Sequence, residues 1–349
     1  MTAPAPARPR TRARTPVTAL AGAAVLGLAG CSGGGSGEEA RAEDGLTVVT
    51  TTSVYADVVR EVGGDAVTVD PVIDSTAQDP HSYEATAQDR LAVETADLVV
   101  LNGGGYDAFM EDLAAGGEAP VVEAYEVAGT DEEAAGEHAD DGPADEGHTD
   151  EEHADEEHGA AGDDGHGHGE ANEHVWYDLD AMDDVAGAIA ERLAELDPDG
   201  ADTYRENAGS FAEGLTALKG RLAQAPAGDT AFVATEPVAV YLLEDAGLHD
   251  DTPAEFTAAI ENGTDVPPLI MERVREEFRE GHVRLLAFNA QTASGQTEQL
   301  RDDAREAGAA VVEFTETLPE GTTYLEWMDR NVTDVIEALE TVRTAPAGA

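Results

Sequence analysis

Six short apolar runs, each closed by a turn and most followed by a helix-forming segment, limit what this chain can fold into. They are Leu46–Thr51, Val67–Ile73 and Asp97–Leu101 in the first half, then Thr230–Ala234, Val283–Phe288 and Ala310–Phe314 in the second. β-Branched and apolar residues dominate them, whereas Glu84–Ala96, Pro268–Arg279 and Thr297–Ala307 favour helix. Parallel strands need long crossovers, and a helix supplies each one. The chain therefore reads as α/β, with two lobes, each a mostly parallel sheet flanked by helices. Between the lobes, Ala181–Leu196 and Ala201–Gln224 are helical and separated by Asp197-Pro198-Asp199-Gly200. In the second of these, Tyr204, Ala208, Phe211, Leu215, Leu218 and Leu222 form one apolar stripe, as expected of a long rigid interdomain helix. Ser53 is placed to cap the helix that ends at Gly63-Gly64, and Asn102-Gly103-Gly104-Gly105 reads as a turn bringing the chain close to a cleft.

The formal charge of −55 repels nucleic acids and anionic membranes while concentrating cations, so nucleic-acid binding is excluded. Arg8, Arg10, Arg12 and Arg14 precede the apolar segment Val17–Leu28, which leads into Leu28-Ala29-Gly30-Cys31. This is a secretory leader, too short for a comfortable membrane span. Cys31 is the chain's single cysteine, so it has no disulfide partner within the chain. Its position matches a bacterial lipobox, which makes Cys31 the lipid-modified first residue of a protein anchored on the outer face of the cell membrane. Residues 1–31 are then the lipoprotein signal and lipobox cysteine, and 32–44 a flexible tether. The first lobe spans 45–200, the spine helix 201–225, and the second lobe 226–349.

Residues 130–173 are rich in Asp, Glu, Gly, Ala and His and lack Lys and Arg. Such a segment cannot bury enough apolar surface to order itself, so a disordered loop is expected. His138, His148, His153, His158, His166 and His168 recur among its carboxylates, a mixture that captures divalent metals such as zinc weakly.

The remaining chemistry gathers at strand ends. His81 lies beyond Val67–Ile73, in a strand-to-helix loop, where open α/β sheets place ligand-binding groups. His174 stands where apolar residues return after the acidic loop. Glu236 and Asn289 follow strands of the second half. Two imidazoles and one carboxylate suit zinc, and more carboxylate oxygen would tilt the site towards manganese.

Asp79-Pro80-His81-Ser82-Tyr83-Glu84, the acidic insertion, Glu173-His174-Val175-Trp176, the helix after Leu196-Asp197-Pro198, Thr315-Glu316-Thr317-Leu318-Pro319 and Tyr324-Leu325-Glu326-Trp327-Met328 resemble the zinc/manganese-binding lipoproteins of bacterial ABC importers. The resemblance implies a metal held between two lobes by His81, His174 and Glu236, and delivered by a monomer to a membrane permease with a cytoplasmic ATPase. It implies no catalysis. The family's fourth ligand is usually an aspartate soon after the strand placed at Val283–Phe288. This chain has Asn289-Ala290-Gln291 there, leaving an amide oxygen of Asn289, a water or another residue for that position. Zn2+ is the favoured cargo because imidazoles outnumber carboxylates in site and loop together, with Mn2+ as the alternative that Glu236 supports. A zinc hydrolase is a rival reading, but no His-Glu-x-x-His motif is present; an adhesin role is a further alternative. Metal binding is expected to weaken below about pH 6.5, where free histidine protonates.

Overall fold

The computed structural model describes residues 45–78, 80–129 and 172–344. Cys31, the tether, Asp79 and the six loop histidines from His138 to His168 lie outside the described residues.

The first half runs β1 (Leu46–Thr52), α1 (Ser53–Gly63), β2 (Val67–Ile73), α2 (Ala87–Thr95), β3 (Leu98–Leu101), α3 (Ala108–Ala114), β4 (Val121–Glu123) and α4 (Ala124–Val127). Two long helices follow, α5 (Leu179–Leu196) and α6 (Ala201–Leu222). The second half continues with β5 (Ala231–Ala234), α7 (Val240–Asp245), β6 (His249–Asp250), α8 (Ala254–Glu261), α9 (Pro268–Glu280), β7 (Val283–Asn289), α10 (Gly295–Glu306), β8 (Ala310–Phe314) and α11 (Tyr324–Thr344). Each half contains one four-stranded sheet, ordered β2-β1-β3-β4 and β6-β5-β7-β8. All pairings within them are parallel. The two halves thus repeat one topology, in which strand order reverses beside β1 and again beside β5. Open α/β sheets bind ligands at such points, outside the carboxyl ends of the strands.

The sequence pattern misses β4 and β6, which are three and two residues long, too short for a period to show. It also starts α2 too early: the helix begins at Ala87, because Thr86 and Asp89 form a reciprocal capping box. Ser53 is the first residue of α1 rather than its cap, and Thr52 takes the cap position without a side-chain bond. The Ser53 hydroxyl instead accepts the Leu318 N–H at 3.1 Å, joining the two halves.

Helix α6 buries its stripe of Tyr204, Ala208, Phe211, Leu215, Leu218 and Leu222. It packs against α5 and α1 from the first half and against α11 from the second. Helix α11 also returns to the first half. Its Tyr324 N–H donates to Asp57 on α1 at 2.6 Å, and the Tyr324 hydroxyl donates to the Trp176 carbonyl at 2.8 Å. One apolar cluster consequently runs from Val48 and Trp176 through Phe211 to Phe232, Leu285 and Val335. Two helices crossing between the sheets over a shared core resist large hinge motion, because packed cores deform little.

Phe211 is buried at the centre of this junction, with its ring centroid 5.5 Å from that of Tyr324. Phe211→Ala is expected to cost about 3–5 kcal/mol, read as a lower urea midpoint at an unchanged denaturant slope. A loss below about 1 kcal/mol would show that this face of the helix is not buried.

Candidate metal centre

The C-terminal edges of both sheets open on a cleft of about 640 Å3, lined by His81, His174, Glu236, Thr264, Thr292 and Gln296 among others. His81 stands on a single 3-10 turn, Pro80–Ser82, after β2. His174 immediately precedes a similar turn, Val175–Tyr177. Glu236 is two residues beyond β5, and Asn289 is the last residue of β7.

His174 is 1% exposed. Its Nδ1 lies 2.7 Å from the Asn172 side-chain oxygen, whose amide nitrogen donates to the Pro237 carbonyl at 2.8 Å. That second bond orients the amide, so its oxygen faces the ring and Nδ1 carries the proton. Nε2 is left with its lone pair, buried and without a hydrogen-bond partner. A buried imidazole nitrogen held in this tautomer is a metal ligand in waiting. Burial, together with nearby His81, pushes the His174 pKa well below the usual histidine range and keeps the ring neutral. His81 faces it with ring centroids 5.9 Å apart, and its other neighbour, Tyr106, meets it edge-on at 4.8 Å.

The second half contributes two carboxylates. Glu236 Oε2 accepts the Thr292 hydroxyl at 2.6 Å and also the Asn289 amide. Glu316, fully buried two residues beyond β8, accepts the same amide at 2.7 Å on Oε1 and the Tyr106 hydroxyl at 3.1 Å on Oε2. Its Oε2 lies 3.7 Å from His81 Nε2. Asn289 therefore points its nitrogen at both acids. Its oxygen accepts the Gln291 N–H at 3.0 Å, so the Asn289 amide oxygen expected as one option for the fourth ligand is engaged with the backbone instead. The group facing His81 from the second half is Glu316, an acid after β8 rather than after β7, where the fourth ligand is expected from the sequence. One signal was available: Thr235-Glu236 and Thr315-Glu316 are the same dipeptide in the same place, directly after an apolar strand.

The glycine turn explains how Tyr106 gets there. Gly103, Gly104 and Gly105 all have positive φ, and a Cβ on Gly103 or Gly104 would strike Glu123 or Tyr125. The turn is closed by Asp107, whose carboxylate accepts the Asn102 and Gly103 N–H groups, each at 2.8 Å.

Desolvation raises Glu236 to about 7, with Glu316 adding to the rise and the bonds from Thr292 and Asn289 opposing it. Near neutrality Glu236 therefore still binds a proton that a cation must displace, whereas His174 is neutral.

Two parallel sheets of identical strand order, facing each other across a donor-lined cleft, define a two-lobed solute-binding protein. The chain belongs to the family described as zinc-uptake complex component A, periplasmic (ZnuA), whose model matches residues 48–338. It is 26% identical over 331 residues to the manganese ABC transporter substrate-binding lipoprotein PsaA of Streptococcus pneumoniae, covering 93% of this chain and 97% of that protein. Among solved structures it is similar to FpvC of Pseudomonas aeruginosa in complex with Mn2+. That match has 25% identity and a TM-score of 0.62, and covers 85% of this chain and 99% of FpvC. The periplasmic zinc-binding protein TroA of Treponema pallidum shares the fold at 19% identity and a TM-score of 0.64, over 84% of this chain and 99% of TroA. PsaA is by name a component of an ABC transporter, and the family is one of substrate-binding rather than catalytic proteins.

A carboxyl whose folded pKa is raised must lose its proton before it can bind a metal, so affinity climbs with pH until about 7, where Glu236 ionises. Calorimetry in buffers of different ionisation heat is expected to show about one proton released per metal at pH 6 and less at pH 8. Glu236→Gln should remove that proton; equal release from the variant would assign it elsewhere.

Proposed function

We propose that this chain is the lipid-anchored, extracytoplasmic substrate-binding component of a bacterial ABC importer for a divalent transition metal. Its partners would be a membrane permease and a cytoplasmic ATPase. The observation that carries this reading is the convergence of His81, His174, Glu236 and Glu316 on one cleft between two half-molecules, with a buried, unpartnered imidazole nitrogen among them. Two neutral imidazoles and two carboxylates form a complete donor set for a first-row divalent ion, and the ion's charge answers that of two acids held in a low dielectric.

The donor count bears on which metal is carried. Glu316 makes the primary site two nitrogens and two carboxylates, which supply up to four oxygens, and such oxygen-rich sets suit manganese. This moves the balance from the zinc favoured on histidine content towards manganese. Zinc still binds such a site tightly in the test tube, because it ranks above manganese for any given set of donors.

Capture and release need only a modest change in the separation of the halves, since each contributes two of the four donors. His174→Ala and Glu316→Ala are each expected to weaken binding of Mn2+ and Zn2+ by at least about 100-fold, the upper end of what even a supporting residue costs. Titration followed by the fluorescence of Trp176, whose ring lies 5.1 Å from His174, checks this. Unchanged affinity in either variant would remove that residue from the site, and a parent protein that takes up zinc yet retains no Mn2+ through dialysis would overturn the manganese reading.

A further inference from the structure

Glu173 has no place in the four-donor site, yet its position points to metal. One ligand atom each from His81, Glu173 and His174 lie within 4.8 Å of one another. Adjacent donors on a single first-row ion, each about 2.0–2.2 Å from it, are about 3.0–3.5 Å apart, so side-chain shifts of about 1–2 Å would bring the three onto one ion. Among the described residues no group of three that includes Glu236 or Glu316 meets the same distance. Those two acids are tied to Asn289, Thr292 and Tyr106. The first half therefore presents three convergent donors in a group that includes neither second-half carboxylate.

The frame around Glu173 is fixed. Its carbonyl accepts the Asn102 amide at 2.9 Å and the Val175 N–H at 2.8 Å. Asn102 is itself held by the Tyr55 hydroxyl. Glu173 is half-buried and His174 beside it is buried, with one ligand atom of each within 4.8 Å of the other.

We propose that His81, Glu173 and His174 form a first-contact site for the incoming divalent cation, and that Glu236 and Glu316 then displace Glu173 as the ion settles between the halves. The proposal rests on His81 and His174 being metal ligands. It gives Glu173 a kinetic role: its charge and lone pairs lower the barrier to shedding water, and its bond to the ion breaks as those to the second half form.

The test uses the full chain and Co2+ at one equivalent, followed by stopped-flow quenching of Trp176 beside His174. Glu173→Gln is expected to slow loading about tenfold, within the range by which a local charge accelerates association, while leaving equilibrium affinity within about threefold, below the cost of losing even a supporting residue. In a Glu236→Gln background, where the final site is incomplete, adding Glu173→Gln should lower the remaining affinity by about tenfold or more. An unchanged loading rate together with no effect in that background would overturn the proposal. So would an equilibrium loss from Glu173→Gln as large as that from Glu236→Gln, because Glu173 would then be a permanent ligand. His81→Ala separates the two readings: if it binds Co2+ as tightly as the parent, the site itself is misassigned, whereas lost affinity there with an inert Glu173→Gln overturns the first-contact role alone.

Discussion

A single amide, that of Asn289, stands between the carboxylates of Glu236 and Glu316, and most of the architecture around the cleft follows from that arrangement. Two acids brought together away from water repel each other and resist ionisation. A neutral amide can satisfy their lone pairs but cannot cancel charge. A divalent cation can do both, so bringing the two acids together carries an electrostatic cost that cation binding would relieve. The cost is tolerable only if the surrounding frame keeps the acids from swinging into solvent. Thr292 holds one and Tyr106 the other.

That frame comes from repeating one fold twice. Both sheets use the same strand order, so both direct their strand ends to the same kind of crevice. Facing the two crevices lets each half supply one side of a coordination sphere that neither could complete alone. The long α6 and the returning α11 then bind the halves through one continuous apolar cluster. Polar bridges reinforce it near the site: Gln291 Nε2 donates to the Gln78 carbonyl at 2.9 Å and Tyr177 to the Thr315 carbonyl at 2.8 Å. Capture in such a molecule is closer to the seating of an ion in a stiff clamp than to the closing of a wide hinge.

Charge works at a second, longer range. A chain with formal charge −55 draws divalent cations towards itself from every side, but selectivity cannot come from that field, which treats all of them alike. It comes from donor type. In the proposed site, a neutral imidazole kept in one tautomer by Asn172, set against carboxylates from the opposite half, would favour transition metals over calcium and magnesium, whose preference is for oxygen alone.

The sequence by itself determined the secondary elements and the class of fold, since β-branched runs of four or more residues joined by helices leave little choice but parallel sheets. It also marked His81, His174 and Glu236, because each follows a strong local signal: His81 lies in the loop after β2, Glu236 two residues past β5, and His174 at the return of aromatic residues after a polar tract. Strands of two and three residues, β4 and β6, left no such period and emerged only through pairing with neighbours. Glu316 and the bonding of Asn289 were decided by tertiary structure. An acid two residues past a strand looks like any exposed turn residue until the sheet's register sets Asn289 opposite Phe314 and the other half closes over it. Which atom of an amide faces a carboxylate, and which nitrogen of an imidazole is left bare, depends on partners 2 to 65 residues away in the chain; that information resides in packing, not in local sequence.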